Sequence, residues 1–194
     1  MLAEFGARMT MVKGDAARDM QTAPEMTTRS LSNDSEAKRD GGASAAPIRV
    51  LFLCWDNSAR SQMAEAILRS LGGRHFAAYS AGVKPADAID AHALSILEER
   101  GIPVDGLTPK GLGVFESQSF DYVVSLADPA RERAPNLTGA DVMHWSFVDP
   151  ERSLEEHKDP HPYEHLFAEL NQRIRLLLIT AERSEREARR GMQT

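Results

Sequence analysis

At residues 48–61 the chain reads IRVLFLCWDNSARS, and this stretch decides the fold. The apolar run Val50–Leu53 ends in a small polar segment, which is typical of a buried parallel strand. From Ala59 onward, apolar residues recur at the spacing of one helix face, namely at Met63, Ala66, Ile67 and Leu71. A strand, a tight loop and a helix in this order can direct free backbone N–H groups at one anion, and the helix dipole adds to their attraction.

The loop begins with Cys54 and ends with Arg60. Loop N–H groups and a guanidinium both stabilise a thiolate, so the sequence predicts a lowered pKa for Cys54. The Ser61 hydroxyl is expected to donate a hydrogen bond to the sulfur. A lone cysteine is often a buried core residue, but polar Asn57 and Ser58 follow this one. We therefore interpret Cys54 as a nucleophile.

The predicted role of Arg60 is to hold two oxygens of a tetrahedral oxyanion through its planar guanidinium. A cation at a helix N-terminus opposes the dipole, and an anion bound between them would explain the placement. Asn57 is expected to shape the loop, because asparagine tolerates left-handed backbone angles. A carboxylate at Asp56 is unfavourable beside an anion unless it points outward. The predicted oxyanion-binding loop comprises Trp55, Asp56, Asn57, Ser58, Ala59, Arg60 and Ser61.

The pattern C-x-x-x-x-x-R-S after an apolar strand resembles the phosphate-binding loop of low-molecular-weight protein tyrosine phosphatases. The run CWDNSARSQMAEA, residues 54–66, is most similar to the arsenate-reductase branch of that family. The family usually carries a small residue at the position of Trp55 and often glycine at that of Asp56. The resemblance implies a phosphotyrosine protein phosphatase I-like fold, three-layer α/β/α, with four parallel strands in the order 2-1-3-4.

Apolar strand-like segments alternate with helical ones along the rest of the chain, which predicts parallel βαβ units in an α/β sheet. In such sheets the ligand lies beyond the carboxyl ends of the strands, where Cys54 is expected. The further predicted strands are Phe76–Ser80, Tyr122–Leu126 and Val142–Trp145. The predicted helices are Ala88–Arg100 with Asp87 as its cap, a short one near Leu112–Glu116, and a long one after Pro162. The segments Ala130–Gly139 and Glu151–His161 are predicted to be polar and exposed.

Three segments are expected from composition. Residues 1–47 contain very few large apolar side chains after Lys13, so we predict a disordered N-terminal extension. Residues 48–185 form the predicted phosphatase-like domain. Residues 186–194 are predicted to be a frayed tail, because the sequence there lacks an apolar face.

Charge and cysteine content exclude several classes of function. A formal net charge of −6 argues against general nucleic-acid binding. No apolar run approaches the ~20 residues of a membrane span. A single cysteine excludes a disulfide within this chain and fits a reducing cytoplasm. The histidines match no zinc signature, so no metal is expected; those considered are His144, His157, His161 and His165.

Asp149 is the candidate general acid. An attack by sulfur on phosphorus or arsenic requires a proton for the departing oxygen, which a nearby carboxyl group can supply. The pair Asp149-Pro150 resembles the place where the phosphatase family keeps this aspartate. Asp-Pro is also a turn signal, and we interpret the competing pair, Asp128-Pro129, as a turn.

Two enzymatic hypotheses share this first step, and a third hypothesis involves no catalysis. A phosphatase hydrolyses a phosphocysteine with water, whereas an arsenate reductase needs a second thiol. In thioredoxin-coupled relatives two further cysteines supply it, but this chain carries Ala127 and Ala134 there. With no bound cofactor expected, the reductase hypothesis requires glutathione or mycothiol, with a thiol-redox protein such as glutaredoxin as a further partner. The third hypothesis is an oxyanion-binding module with an ordinary thiol pKa.

The neighbourhood of Asp149 favours the reductase. Phosphotyrosine-specific relatives usually carry tyrosine just after this Asp-Pro pair, whereas Glu151-Arg152-Ser153 follows Pro150 here. The sequence therefore predicts arsenate as the substrate, with phosphate monoesters as the alternative.

Overall fold

The computed structural model describes residues 46–132 and 140–191. Four strands are present in this part of the chain: β1 (Ile48–Cys54), β2 (Phe76–Gly82), β3 (Tyr122–Ser125) and β4 (Asp141–His144). The helices are α1 (Arg60–Gly72), α2 (Ala91–Glu99), α3 (Asp128–Arg131), α4 (Pro150–Glu156) and α5 (Pro162–Gly191). Two short 3₁₀ helices span Gly73–His75 and Leu112–Phe115. Among the described residues, none of the helices combines the length and the hydropathy that a membrane-spanning helix requires.

The four strands form one parallel sheet in the order β2-β1-β3-β4, as predicted. Cys54 at the end of β1 is paired with Gly82 at the end of β2. On the other side, Leu53 pairs with Ser125, which in turn pairs with His144. The carboxyl ends of the strands therefore meet at one edge of the sheet, and the loop after Cys54 begins there.

Alternate residues of β1 face two different apolar clusters, since side chains of a strand alternate between faces. Val50 and Phe52 pack with α1, α2 and α5. Leu51 and Leu53 pack on the opposite face with the 3₁₀ helix Leu112–Phe115 and with α3. The central strand is therefore covered on both sides, which explains its continuous apolar run.

Several boundaries differ from the sequence predictions. Helix α2 begins at Ala91, and its cap is Asp90, whose Oδ1 accepts from the Ala93 amide at 2.9 Å; the prediction of Asp87 as cap is wrong. The segment from Glu151, predicted to be only an exposed polar stretch, begins with helix α4. Its N-cap is Asp149, which accepts from the Glu151 amide. Similarly, Asp128-Pro129 opens helix α3 rather than a simple turn.

Helix α5 continues to Gly191, whereas the sequence predicted a frayed tail from residue 186. Its last turns carry ion pairs between residues four apart, which favour the helical conformation of an exposed segment. The pairs are Arg183–Glu187, Glu182–Arg186 and Glu185–Arg189. Residues 192–194 lie outside the described part, as do 133–139 of the predicted polar loop and 1–45 of the predicted N-terminal extension.

Candidate active site

The loop between β1 and α1 is held with its carbonyl groups turned away from the sulfur of Cys54. The Cys54 carbonyl accepts from the Val83 amide at 3.2 Å, and the Trp55 carbonyl accepts from the Lys84 amide at 2.8 Å. Further along, the carbonyl groups of Asp56 and Ser58 accept from the amides of Ala86 and Asp90. Because the segment after β2 takes these acceptors, the loop presents its N–H groups inward.

The sulfur of Cys54 is fully buried and lies among hydrogen-bond donors. The backbone N–H of Asn57 donates to Sγ at 3.1 Å, and the Ser61 hydroxyl lies 2.8 Å from Sγ. Asn57 has φ of 55°, the left-handed conformation that asparagine tolerates. This conformation turns the Asn57 amide back towards the sulfur, so the loop wraps Cys54 closely.

The prediction of a lowered pKa for Cys54 is wrong. Burial raises the pKa of this thiol, because it removes water that would solvate the thiolate. The Ser61 hydrogen bond and the charge of Arg60 oppose this effect, and the charge of Asp56 adds to it. Sequence reasoning counted the favourable charges and hydrogen bonds but not the loss of solvent.

Arg60 lies at the start of α1 and points into the site rather than to bulk solvent. Its Nη2 lies 2.6 Å from Oδ2 of Asp149, and its Nη1 donates to the Phe147 carbonyl at 3.4 Å. Asp149 also caps α4 through its other oxygen. The loop after β4 thus brings Asp149 and Arg60 together across 89 residues of sequence.

A cluster of buried polar residues supports the loop through hydrogen bonds to Asn57. Asn57 Nδ2 donates to the Ser61 hydroxyl at 2.7 Å and to the Ser80 hydroxyl at 2.8 Å. The Ser80 hydroxyl donates in turn to Glu65, which also pairs with the ammonium of Lys110 at 3.2 Å. A continuous chain of hydrogen bonds therefore joins the sulfur environment to a buried, neutralised carboxylate.

Sequence reasoning missed most of this cluster. Gln62 Nε2 donates to Asn57 Oδ1 at 3.0 Å and to the Thr108 carbonyl, and the Lys110 amide donates to the same Asn57 oxygen. A signal was available: Gln62 and Glu65 lie one turn apart on α1, so a buried position for both requires polar partners.

The Asp56 side chain does not point outward. Its Oδ1 accepts from the Ser58 amide at 3.1 Å and lies 3.8 Å from Cys54 Sγ, within reach of the thiol proton. An oxyanion that used the Ser58 amide would have to displace this carboxylate. The sequence analysis considered a carboxylate at this position unfavourable unless it pointed outward, and that condition is not met.

Gly82 allows the loop to lie directly on the end of β2. A Cβ atom at this position would lie 2.8 Å from the Asn57 nitrogen and 2.8 Å from the Asp56 carbonyl carbon. These atoms belong to the loop backbone, so they cannot move aside as a flexible side chain would. Glycine is required here for the close approach of two backbones.

A cleft of about 570 Å³ opens beside the Arg60–Asp149 pair. Trp55 forms one wall with 45% of its surface exposed, and Val148 is also exposed. Arg152 and His157 line the cleft as well. Ala59, another residue of the predicted oxyanion-binding loop, is the N-cap of α1 and donates or accepts no side-chain hydrogen bond there.

One of the two positions at which thioredoxin-coupled relatives carry a further cysteine lies at this cleft. Ala127 lines the cleft and precedes α3, whereas Ala134 lies outside the described residues. The Asp128 carboxylate is turned towards His144 Nε2, at 3.0 Å, and His144 Nδ1 lies 2.7 Å from the Ser125 hydroxyl. These contacts join the ends of β3 and β4, which carry the loops on that side of the cleft.

Comparison with known proteins identifies one family for most of the chain. Residues 49–188 match the profile of the family described as low molecular weight phosphotyrosine protein phosphatase. A glutaredoxin arsenate reductase from Synechocystis sp. is 32% identical over 109 residues, 55% of this chain and 82% of the relative. An arsenate reductase from Bacillus licheniformis is 31% identical over 137 residues, 69% of this chain and 96% of the relative.

Among solved structures, the chain is similar to a thioredoxin-dependent arsenate reductase from Corynebacterium glutamicum, with a TM-score of 0.59 and 30% identity. The similarity covers 72% of this chain and 65% of that chain, slightly less than two thirds of its length.

Proposed function

Because this chain belongs to the low molecular weight phosphotyrosine protein phosphatase family, we propose that it is an arsenate reductase with Cys54 as its nucleophile. One observation carries the proposal: the loop that wraps Cys54 Sγ also positions Arg60 beside Asp149, at 2.6 Å. A nucleophile, an anion-binding guanidinium and a carboxyl group thus belong to one site. The similarity to arsenate reductases over 69% of the chain supports arsenate as the substrate.

In the first step, the Cys54 thiol passes its proton to an oxygen of the bound arsenate dianion and its sulfur attacks the arsenic, so that a bond between sulfur and arsenic forms. One arsenic–oxygen bond breaks, and Asp149 protonates the oxygen that leaves as water. Arg60 and the loop N–H groups hold the remaining oxygens and stabilise the charge that develops on them. For this, Arg60 exchanges its partner Asp149 for the oxyanion, which leaves the carboxyl group next to the leaving oxygen.

In the second step, an external thiol attacks the sulfur of Cys54. A disulfide forms between the two sulfurs, and the electron pair of the sulfur–arsenic bond passes to arsenic, which leaves as arsenite. A second external thiol then releases Cys54 by exchange. Cys54 is the one cysteine of this chain, so both reducing thiols come from other molecules.

The proposed reductant is glutathione or mycothiol, acting directly or through a thiol-redox protein such as a glutaredoxin or a thioredoxin. The names of the relatives from Synechocystis sp. and C. glutamicum support a partner of this kind. These thiols are kept reduced in the cytoplasm, so we propose that the protein acts there.

Hydrolysis of phosphate monoesters is the second candidate, and the single cysteine favours it. A phosphocysteine at Cys54 needs only water for its breakdown, whereas the reductase cycle needs two further thiols. The same residues would catalyse the first step, with phosphorus in place of arsenic.

One preparation tests both candidates. Arsenite formation is measured with arsenate and, in turn, glutathione with glutaredoxin, mycothiol, and thioredoxin with its reductase. Hydrolysis of p-nitrophenyl phosphate is measured in parallel. Arsenite formed with one thiol system supports the reductase. Hydrolysis without any arsenite would assign the protein to the phosphatases. Cys54→Ser is expected to abolish whichever activity is found, and full activity of this variant would refute the mechanism.

A further inference from the structure

We propose that Tyr163, at the start of α5, is a positioning residue for the oxyanion-binding loop and acts through Asp90, a role that rests on the proposed function. The Tyr163 hydroxyl donates to Asp90 Oδ2 at 2.8 Å, across 73 residues of sequence. The Asp90 amide in turn donates to the Ser58 carbonyl of the loop at 3.1 Å. Tyr163 does not line the cleft beside Arg60 and Asp149. Its effect on the reaction is therefore indirect, through the loop backbone.

The contact between Asp90 and Ser58 determines where the Ala59 N–H group points. In a trans peptide the C=O and N–H groups point in opposite directions, and the Ser58 carbonyl is turned outward to Asp90. The Ala59 N–H is therefore turned to the inside of the loop. No hydrogen bond among the described residues uses this N–H. It is thus available to an oxygen of the bound oxyanion, at the N-terminus of α1.

A neighbouring peptide of the loop shows the same arrangement with both of its contacts in place. The Asp56 carbonyl accepts from the Ala86 amide at 2.8 Å. The N–H group of the same peptide, that of Asn57, points inward and donates to Cys54 Sγ at 3.1 Å. The segment after β2 therefore fixes two loop peptides at separate points. Ala86 fixes the one that contacts the sulfur, and Asp90 fixes the one that faces the oxyanion.

The carboxylate of Asp90 is held through both of its oxygens. Oδ1 accepts from the Ala93 amide at 2.9 Å and caps α2, and Oδ2 accepts from Tyr163. His92 Nδ1 lies 3.8 Å from Oδ1, the capping oxygen. The Asp90 side chain is only 13% exposed, so little water can replace a lost partner. Without the tyrosine hydroxyl, Oδ2 would be a shielded acceptor without a donor, which favours a shift of Asp90.

The Tyr163 ring is itself held firmly. It is buried in the same apolar cluster as Leu166 and Leu170 of α5. The His92 ring stacks on it, with 5.2 Å between the ring centroids. The hydroxyl is thus a fixed donor, and it sets the position of Asp90 relative to the core rather than following it.

The test is Tyr163→Phe, which keeps the buried ring and removes only the hydroxyl. The Kd for inorganic phosphate and the KM for arsenate are expected to rise by about fivefold, as for the loss of about one net hydrogen bond. NMR titration of the labelled protein measures the Kd without any turnover. The Ala59 amide resonance is expected to shift on phosphate binding in the wild type and to shift less in the variant.

The value of kcat separates this role from general loosening of the site. An N–H that contacts the oxyanion equally before and during the reaction contributes uniform binding, so kcat is expected to stay within about threefold of wild type. The sulfur contact through Asn57 is fixed separately at Ala86 and is not disturbed. Tyr79→Phe is the matched control, because it removes a tyrosine hydroxyl on the opposite face of the sheet. Its Kd for phosphate is expected to stay within about twofold of the wild-type value.

A double-mutant cycle tests whether Tyr163 acts through Asp90. Asp90→Ser retains a residue that caps α2 well but removes the oxygen that accepts from Tyr163. It is expected to weaken phosphate binding to a similar degree as Tyr163→Phe. Adding Tyr163→Phe to Asp90→Ser is then expected to change the Kd by less than about twofold, because the contact is already absent. Additive effects of the two changes would overturn the proposal.

The remaining outcomes are distinct. An unchanged Kd for phosphate in Tyr163→Phe overturns the proposal, as does a fall in kcat at constant KM. A wild type that binds phosphate but forms no arsenite with any thiol refutes the reductase function, while the Kd values still decide the role of Tyr163. A wild type that binds no phosphate overturns both, because the loop is then not an oxyanion site.

Discussion

Arg60 Nη2 lies 2.6 Å from Asp149 Oδ2, so the arginine of the loop and the carboxylate after β4 form one ion pair at the cleft. The Arg60 side chain is 8% exposed and that of Asp149 33% exposed. A substrate oxyanion has to compete with Asp149 for the same guanidinium. The pair therefore keeps the site organised before binding and brings the carboxyl group to the place where the leaving oxygen is expected.

The first prediction concerns the shape of the cation. Arg60→Lys keeps the charge but removes the planar donors that hold two oxygens at once, so kcat/KM is expected to fall by about 100-fold. The matched control is Arg152→Lys, because Arg152 lines the same cleft but is exposed and paired with Glu156. The kcat/KM of this control variant is expected to stay within about twofold of the wild-type value. Equal losses in both variants would contradict the special role of Arg60.

The second prediction concerns the general acid. Asp149→Asn retains the cap of α4, since asparagine caps helices as well as aspartate does, but it cannot donate the proton. We expect kcat to fall by about 100-fold or more for phenyl phosphate and by much less for p-nitrophenyl phosphate, whose leaving group needs no proton. Asp128→Asn, at the competing Asp-Pro pair, serves as the control. A loss that does not depend on the leaving group would argue against acid catalysis by Asp149.

The third prediction concerns the support of the loop. Gly82→Ala is expected to displace the loop backbone, because the new methyl group would lie 2.8 Å from the Asn57 nitrogen. We expect activity to fall by at least about tenfold and the free energy of unfolding to fall by about 1–3 kcal/mol. Gly113→Ala is the matched control, since the nearest neighbour of its Cβ would be a side-chain oxygen of Glu116 at 3.9 Å. Urea unfolding and steady-state rates measure both effects, and a fully active Gly82→Ala would show that the loop tolerates the contact.

The fourth prediction follows from the raised pKa of Cys54. Below the pKa of the unfolded thiol, both states are protonated and the thiol makes no pH-dependent contribution to stability. Above it, the unfolded chain releases the proton while the folded protein keeps it, so the free energy of unfolding falls by up to about 1.4 kcal/mol per pH unit. Cys54→Ser has no thiol to ionise, so its free energy of unfolding is expected to fall less at alkaline pH.

Urea unfolding of both proteins between about pH 7 and about pH 10 checks this difference. Tyr122 and Tyr163 also have raised pKa values, but they are present in both proteins and cancel in the comparison. Parallel stability curves would contradict the raised pKa and would favour the thiolate predicted from the sequence.

The order of the strands in the sheet was implied only by the family resemblance. The sequence by itself determined the strand, loop and helix around Cys54 and the alternation of strands and helices that predicts a parallel sheet. These features depend on short-range periodicity, which reports the apolar face of each element directly. The spacing of Cys54 and Arg60 is likewise local, so the composition of the loop was readable without coordinates. The same local reasoning did not find the cap at Asp90 or helix α4, whose starts depend on single polar residues between weakly patterned segments.

Only the tertiary structure decided the environment of these residues. The pairing of Arg60 with Asp149 and the cluster of Asn57 with Ser80 and Glu65 join parts of the chain that are distant in sequence. The direction of the Cys54 pKa shift was decided in the same way. The charged residues near Cys54 can be read from the sequence. The exclusion of water from its sulfur depends on every segment that folds over it, and the effect of this exclusion on the Cys54 pKa outweighs that of the nearby charges.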